Sequence, residues 1–263
     1  MNIVHQLLSG GDQDFEDIYA EIPWIEIRTD PGMPTQNLLD RLNKMSMSRP
    51  RAFKTHSAPP VLPYVPANGH TDVKYIVVFR NPEEALVSFK PFLEKHTDEW
   101  YELWEVPKWS PPGPAFDTFY REVIDFMGMH VALFDFLRCW WPLRHQKNVL
   151  FLHFSDMKKD HEGSIRRISN FLGTYHTIPE WNRITEHASF PWMKLNSIKF
   201  DAVTATDVPL LQPGTMVRKG ESGAALEDGM TRGISEHLYT VGQRICIDNL
   251  ALRWFYEGGP LPT

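Results

Sequence analysis

Three short stretches contain residues whose types and spacing could do chemistry. In "FKTHSAPP", Lys54 and His56 stand two apart, and on an extended chain such positions share a face. A lysine and a histidine aimed at one point suit transfer of an anionic group. The ammonium neutralises charge on the leaving oxygen, and the imidazole takes the acceptor's proton near neutral pH. The same pair also fits a solvated lysine beside a packed histidine. In "YIVVFRNPEEALVSF", an apolar run ends on Arg80, followed by Asn81-Pro82 and a helical pattern that carries Ser88. Arg80 as a fork donor and Ser88 as a hydroxyl donor could grip one phosphate. Alternatively, Arg80 pairs with Glu83 or Glu84 as a structural cap. In "MVRKGESG", Met216 and Val217 lead into Arg218-Lys219-Gly220. Two cations before a glycine can wrap a phosphate with side chains and backbone N–H groups, and they fit a solvated turn equally well.

The elements that must position these residues can be read from periodicity. "KYIVVF" and "NVLFLHF" are continuous apolar, β-rich runs, the pattern of strands buried on both faces. Arg51 to Thr55 reads as a further short strand. Asn81 is a good N-cap, Pro82 suits the first helical position, and Glu83 and Glu84 complement the positive end of the helix dipole. Further helical patterns occur at "NIVHQLL", with Ile3, Val4, Leu7 and Leu8 on one face, and at "PTQNLLDRLNKM", "AFDTFYREVIDFMG", "HVALFDFLRCWWPLR", "HEGSIRRISNFLG" and "PEWNRITEHASF". One long helix is expected over "SEHLYTVGQRICIDNLALRWF". Residues 105–116 form a Pro/Gly loop, and 197–217 are irregular. Strands alternating with helices predict an α/β fold with a central parallel sheet flanked by helices.

Composition bounds the function. The 263 residues are 42% hydrophobic and 23% charged, enough for one sizeable core, and a single domain over 1–263 is expected. A net charge of −6 argues against a nucleic-acid surface. Cys139 and Cys246 lie far apart and read as reduced thiols in a cytoplasmic protein. No apolar run is long enough for a membrane span, and "MNIVHQLLSGG" has no signal-peptide pattern. There is no Walker loop, Gly-x-Ser-x-Gly or Cys-x-x-Cys motif. The remaining histidines show no metal-ligand spacing, so no metal is expected.

Lys-Thr-His on a strand, a buried strand with Arg-Asn-Pro and a serine eight residues after the arginine, then Arg-Lys-Gly: in this order the chain resembles the cytosolic-type sulfotransferases. "NVLFLHFSDMKKD" and "EHASFPWMKLN" are similar to two further segments of that family. The resemblance implies a P-loop-NTPase-like α/β fold and 3′-phosphoadenosine 5′-phosphosulfate as sulfuryl donor. It implies that Arg80 and Ser88 hold the nucleotide's 3′-phosphate and that Met216, Val217, Arg218, Lys219 and Gly220 close over it. Phe190 would pack on the adenine with Phe154 nearby, His56 would act as general base, and Lys54 would support charge in the transition state. The acceptor is expected to be a hydroxyl or amine on a small, largely apolar molecule.

The departures also carry expectations. The family's Pro-Lys-Ser-Gly-Thr-Thr-Trp loop, which grips the 5′-phosphosulfate, and the strand before it are not found, so the sheet is expected to lack its first strand. A non-catalytic relative that keeps the 3′-phosphate end is the alternative. The family's dimer motif is eroded in "LEDGMTRGISE", so a monomer or weak homodimer is expected.

Overall fold

The computed structural model describes residues 1–67, 73–108, 115–246 and 248–263. In chain order the helices and strands are α1 (Asn2–Ser9), α2 (Ile18–Glu21), α3 (Thr35–Asn43), β1 (Tyr75–Phe79), α4 (Pro82–Glu94), α5 (Asp98–Trp104), α6 (Phe116–Phe119), α7 (Met129–Trp140), β2 (Val149–His153), α8 (Phe154–Lys159), α9 (His161–Leu172), α10 (Ile178–His187), α11 (Phe190–Leu195), α12 (Arg232–Cys246) and α13 (Asn249–Glu257). A π-helical segment, Tyr120–Asp125, continues α6, and 3-10 turns follow α7 and α11. The expected loop over 105–116 falls partly on residues 109–114, outside the described residues; His70 and Trp109 also lie outside them.

The chain divides into two compact units, each assembled from three separate stretches. The first takes Met1–His56, Lys95–Lys108 and Ile165–Gly220; the second takes Ser57–Glu94, Trp109–Ser164 and Glu221–Thr263.

The second unit contains the sheet. β1 and β2 pair in parallel, from Tyr75 opposite Val149 to Phe79 opposite His153. All five residues of β2 are buried, as the apolar run predicts. β1 is not buried on both faces: Val77 and Phe79 are buried, but Val78 is 52% exposed. Side chains alternate along a strand, so burial of Val77 and Phe79 turns Val78 the other way. Phe79 is the hub of the core, with ring centroids of Phe151, Trp254, Phe136 and Phe255 at 5.0, 5.4, 5.6 and 5.8 Å. Such clustered rings contribute beyond their buried area. The expected long C-terminal helix is two helices. Asp248 caps α13 by accepting from the backbone N–H groups of Leu250 and Ala251, and it also accepts from Trp141 Nε1 at 2.7 Å. Capping a new helix there outweighs continuing the old one.

In the first unit α1 ends at Gly10, whose φ of 73° is a left-handed cap. Its most buried residues are Asn2, His5, Gln6 and Leu7 rather than the apolar set alone. Two of the polar groups are partnered, Asn2 donating to the His187 carbonyl at 2.8 Å and Gln6 donating to the Asp12 carbonyl at 2.9 Å, whereas His5 Nε2 and Gln6 Oε1 are buried without a hydrogen-bond partner. Asp17, fully buried, caps α2 through Tyr19 N and accepts from both the N–H and hydroxyl of Thr204 at 2.6 Å. The short strand expected over Arg51–Thr55 is instead one isolated parallel bridge, Trp24 to Lys54. Lys54 N–H donates to Pro23 O at 2.9 Å, and Ile25 N–H donates to Lys54 O at 3.0 Å. Pro23 has no N–H, which cuts the ladder short on that side.

Candidate active site

In the second unit Arg80 leaves β1 where α4 begins. Asn81 caps that helix by accepting from Glu83 N–H at 2.9 Å and Glu84 N–H at 3.3 Å, and its own amide donates to Tyr256 O at 3.0 Å. The helix start is thereby fixed, and with it the direction of Arg80 and Ser88. Arg80 Nη1 donates to Ser88 Oγ at 3.2 Å, Nε to Glu84 Oε2 at 3.2 Å, and Nη2 to the Glu221 carbonyl at 3.2 Å. Its guanidinium carbon sits 4.8 Å from the Phe154 ring centroid. Arg80, Ser88 and Phe154 therefore form one cluster, and the structural pairing with Glu84 coexists with it. A guanidinium has five N–H donors. Three are directed as above, which leaves one on each of Nη1 and Nη2 for an anion's oxygens. That donor pair, beside a serine hydroxyl and a helix start, fits a phosphate.

Glu84, expected as a complement to the helix dipole or as a structural partner of Arg80, is that partner. Its second oxygen, Oε1, accepts from Gly223 N–H at 2.5 Å. One carboxylate thus orients the guanidinium and also holds the turn after Gly220. The signal available was the i, i+4 spacing to Arg80.

In the first unit Lys54 and His56 meet on Trp24. Lys54 Nζ lies 3.5 Å from the Trp24 ring centroid, and the Tyr19 ring is 5.4 Å away. The His56 ring meets Trp24 edge-on at 4.5 Å. The i, i+2 pattern predicts this shared face, although Trp24 itself was not legible. The backbone bridge to Lys54 brings it there. Burial lowers the Lys54 pKa to about 8, with partial opposition from Glu26. His56 has an exposed face. Burial of the rest, and then the Lys54 charge, push it down to about 4. Both are shifts against the charged form: the Lys54 shift is toward neutrality, and the His56 shift keeps the imidazole neutral at the cost of basicity. Thr55, between them, donates its hydroxyl to Glu26.

The loop bearing Met216 to Gly220 is also in the first unit. Asp201 accepts from Gly214 N–H at 2.5 Å and Met216 N–H at 3.2 Å, and Lys194 Nζ donates to the Val217 carbonyl at 2.6 Å. Val217 is buried, Arg218 half-buried and Lys219 exposed. Gly220 has φ 64°, and a Cβ there would stand 2.4 Å from the Phe190 ring. Phe190, at the start of α11, thus packs directly on Gly220. Replacing Gly220 by alanine imposes both backbone strain and a clash. The expected loss is about 1–3 kcal/mol, read as a lowered midpoint in urea unfolding.

A concavity of about 780 Å³ lies in the first unit, lined by Gly10, Gly11, Asp12, Arg49, Arg183 and His187 among others. None of the expected chemistry-bearing residues lines it, and its charged rim does not match an apolar acceptor site.

Parallel strands and a capped helix at a strand end define a protein of the α/β class. The solved structures agree on the fold. Mouse sulfotransferase SULT7A1, complexed with PAP, is 22% identical with a TM-score of 0.61, covering 85% of this chain and 75% of that one. Retinol dehydratase, in complex with androsterone and inactive cofactor PAP, is 20% identical with a TM-score of 0.64, covering 94% and 77%. The sulfotransferase domain family matches residues 2–248, and the chain belongs to that family. Sulfotransferase 1A1 of Rattus norvegicus is 28% identical over 208 residues, 78% of this chain and 65% of that protein. Sulfotransferase 1C2 of Homo sapiens is 24% identical over 178 residues, 68% and 56%. These matches span less than two thirds of the length of either relative. Among the described residues no helix is long and apolar enough to cross a membrane.

Proposed function

We propose that this chain, as one sulfotransferase domain over residues 1–263, transfers a sulfuryl group from 3′-phosphoadenosine 5′-phosphosulfate to a hydroxyl or amine of a small, largely apolar acceptor. The observation that carries the reading is the Arg80–Ser88 contact of 3.2 Å with two guanidinium N–H groups left over, in a chain of this family. On this reading Arg80 and Ser88 hold the nucleotide's 3′-phosphate, with Phe154 against the guanidinium. Met216 to Gly220 close over the same phosphate. Their support is the Arg218-Lys219-Gly220 motif in a chain of this family. Phe190, packed on Gly220, takes the adenine.

The donor supplies an activated sulfur–oxygen bond. The acceptor's oxygen or nitrogen bonds to sulfur as the bond to the 5′-phosphate oxygen breaks, and 3′-phosphoadenosine 5′-phosphate leaves. His56 takes the acceptor's proton, and the Lys54 ammonium lowers the energy of the charge on the departing oxygen. Positioning and charge neutralisation supply most of the acceleration, as in phosphoryl transfer. The protein is proposed to work in the cytoplasm as a monomer or weak homodimer.

The two lowered pKa values set the pH dependence. His56 must be neutral to accept a proton, and its pKa of about 4 places the acid limb of kcat/KM there rather than near 6.5. Lys54 must be charged, and its pKa of about 8 places the alkaline limb there. An acid limb left unmoved in His56→Ala would remove His56 from the role of base.

A second reading is nucleotide binding without turnover, in which Arg80, Ser88 and Phe154, which cluster within the second unit, hold the 3′-phosphate end alone. Calorimetry with 3′-phosphoadenosine 5′-phosphate, followed by a turnover assay against hydroxyl and amine acceptors, separates the two. Binding with turnover supports transfer, and binding alone supports the second reading. Absence of binding defeats both.

A further inference from the structure

The fold collects three metal-ligating side chains in the second unit, none of them assigned to sulfuryl transfer. Asp125 ends the π-helical segment Tyr120–Asp125, His130 lies in the first turn of α7, and His237 lies on α12. His130 Nε2 is 3.5 Å from Asp125 Oδ1, and His237 Nε2 is 3.9 Å from the same oxygen. One ligand atom from each residue lies within 4.8 Å of the other two. His130 is buried, whereas Asp125 and His237 are half exposed and can adjust.

The hydrogen bonding makes this convergence informative. His130 Nδ1 faces the Ile124 carbonyl at 3.4 Å. A carbonyl only accepts, so Nδ1 carries a proton, and Nε2 is the ring atom that faces Asp125. Asp125 Oδ1 thus stands beside the Nε2 atoms of both His130 and His237. A divalent cation satisfies all three donors at once. A ring nitrogen bonded to a backbone carbonyl while the other ligates is the usual outer-sphere arrangement of a metal-binding histidine. With metal–ligand bonds of about 2.0–2.1 Å, tetrahedral ligands stand about 3.4 Å apart. The 3.5 Å pair already meets that, the 3.9 Å pair needs a shift of a few tenths of an ångström, and closing a separation of up to 4.8 Å needs the half-exposed side chains to move further. The π-helical turn that delivers Asp125 is a rare geometry, frequent at functional sites. Tyr120, which starts it, lies 6.0 Å from the His130 ring and 6.2 Å from the His237 ring. Its hydroxyl is buried without a hydrogen-bond partner, the condition of a group that a metal-bound water would complete.

We propose that Asp125, His130 and His237 form a site for a divalent transition-metal ion of the zinc type, with one coordination position left for water or an exchangeable ligand. Two imidazoles and a carboxylate suit zinc or cobalt over magnesium or calcium, which prefer all-oxygen sets. The ion ties the π-helical segment to α7 and α12, so its effect is on the stability of that corner.

The test uses the full chain after treatment with a chelator. Zinc is titrated by calorimetry, cobalt by visible absorption, and thermal midpoints are recorded with and without zinc. The expected result is one equivalent of zinc, the visible bands of four-coordinate cobalt, and a midpoint raised by zinc. In His237→Ala and Asp125→Asn, both at half-exposed positions, affinity falls at least tenfold and the rise in midpoint disappears. Equal affinity in wild type and His237→Ala assigns the metal to other residues and overturns the proposal. A midpoint indifferent to zinc, yet lowered in Asp125→Asn, identifies a proton-held ion pair and overturns it too.

Discussion

Alanine in place of His56 is expected to lower kcat/KM for sulfuryl transfer by about 10²–10⁴-fold, the range for loss of a general base. Affinity for 3′-phosphoadenosine 5′-phosphate should stay within about twofold, because general-base catalysis acts on the acceptor's proton and not on the nucleotide. The substitution is structurally mild. His56 keeps an exposed face, and its ring contact is an edge on Trp24. Trp24 retains Lys54 on its face at 3.5 Å, so the neighbouring cation keeps its seat. Donor turnover on chromatography and nucleotide affinity by calorimetry give the two readouts. Equal loss of both in a folded variant contradicts the role. The pH arithmetic gives a stability readout as well. A histidine whose folded pKa is depressed to about 4 leaves the unfolded chain binding more protons between pH 4 and 6.5. Stability contributed by His56 is therefore present above 6.5 and lost as pH falls toward 4, and His56→Ala should flatten that dependence.

Arg80→Ala is expected to weaken 3′-phosphoadenosine 5′-phosphate by about 10- to 150-fold, the value of a lost hydrogen-bonded charge at about 1.5–3 kcal/mol. Arg80→Lys should recover only part of this, since an ammonium keeps the charge but not the fork. The alternative, Arg80 as a cap partner for Glu84, makes a different prediction. In that case the variant unfolds earlier while calorimetry finds unchanged affinity. Glu84 keeps the Gly223 N–H on Oε1 when Arg80 is removed, so the turn at 221–223 is expected to survive and the affinity measurement remains meaningful.

Much of this was legible in the residues, and the exceptions have physical reasons. β1, β2 and the Asn81-Pro82 helix start follow from local rules: apolar runs, a side-chain cap and a proline at the first turn. Arg80 and Ser88 meet because both positions belong to that same local frame. Burial of β1 on both faces was not borne out, because what covers a strand is decided by distant chain, and Val78 is open. The break between α12 and α13 depends on Asp248, whose capping role was hidden within an unbroken helical period. Trp24 could not be matched to Lys54 and His56, because a single β-bridge joins them and one bridge leaves no period to read. His130 and His237 are separated by more than a hundred residues, so ligand spacing had no signal to offer.

Each compact unit draws on three stretches of chain, and this shapes how the protein must be made. The opening segment, Met1–His56, finds its last structural companions only at Gly220. At translation rates of about 5–20 residues per second, the intervening 164 residues take roughly 8–33 s to emerge (220 − 56 = 164). For that time the apolar side chains of Leu7, Phe15, Ile18 and Ile22 are without their final cover on the ribosome. Long-range closure of this kind is slow. Holding chaperones therefore have their greatest effect on yield during synthesis, and no fragment cut between residues 57 and 220 contains either unit whole.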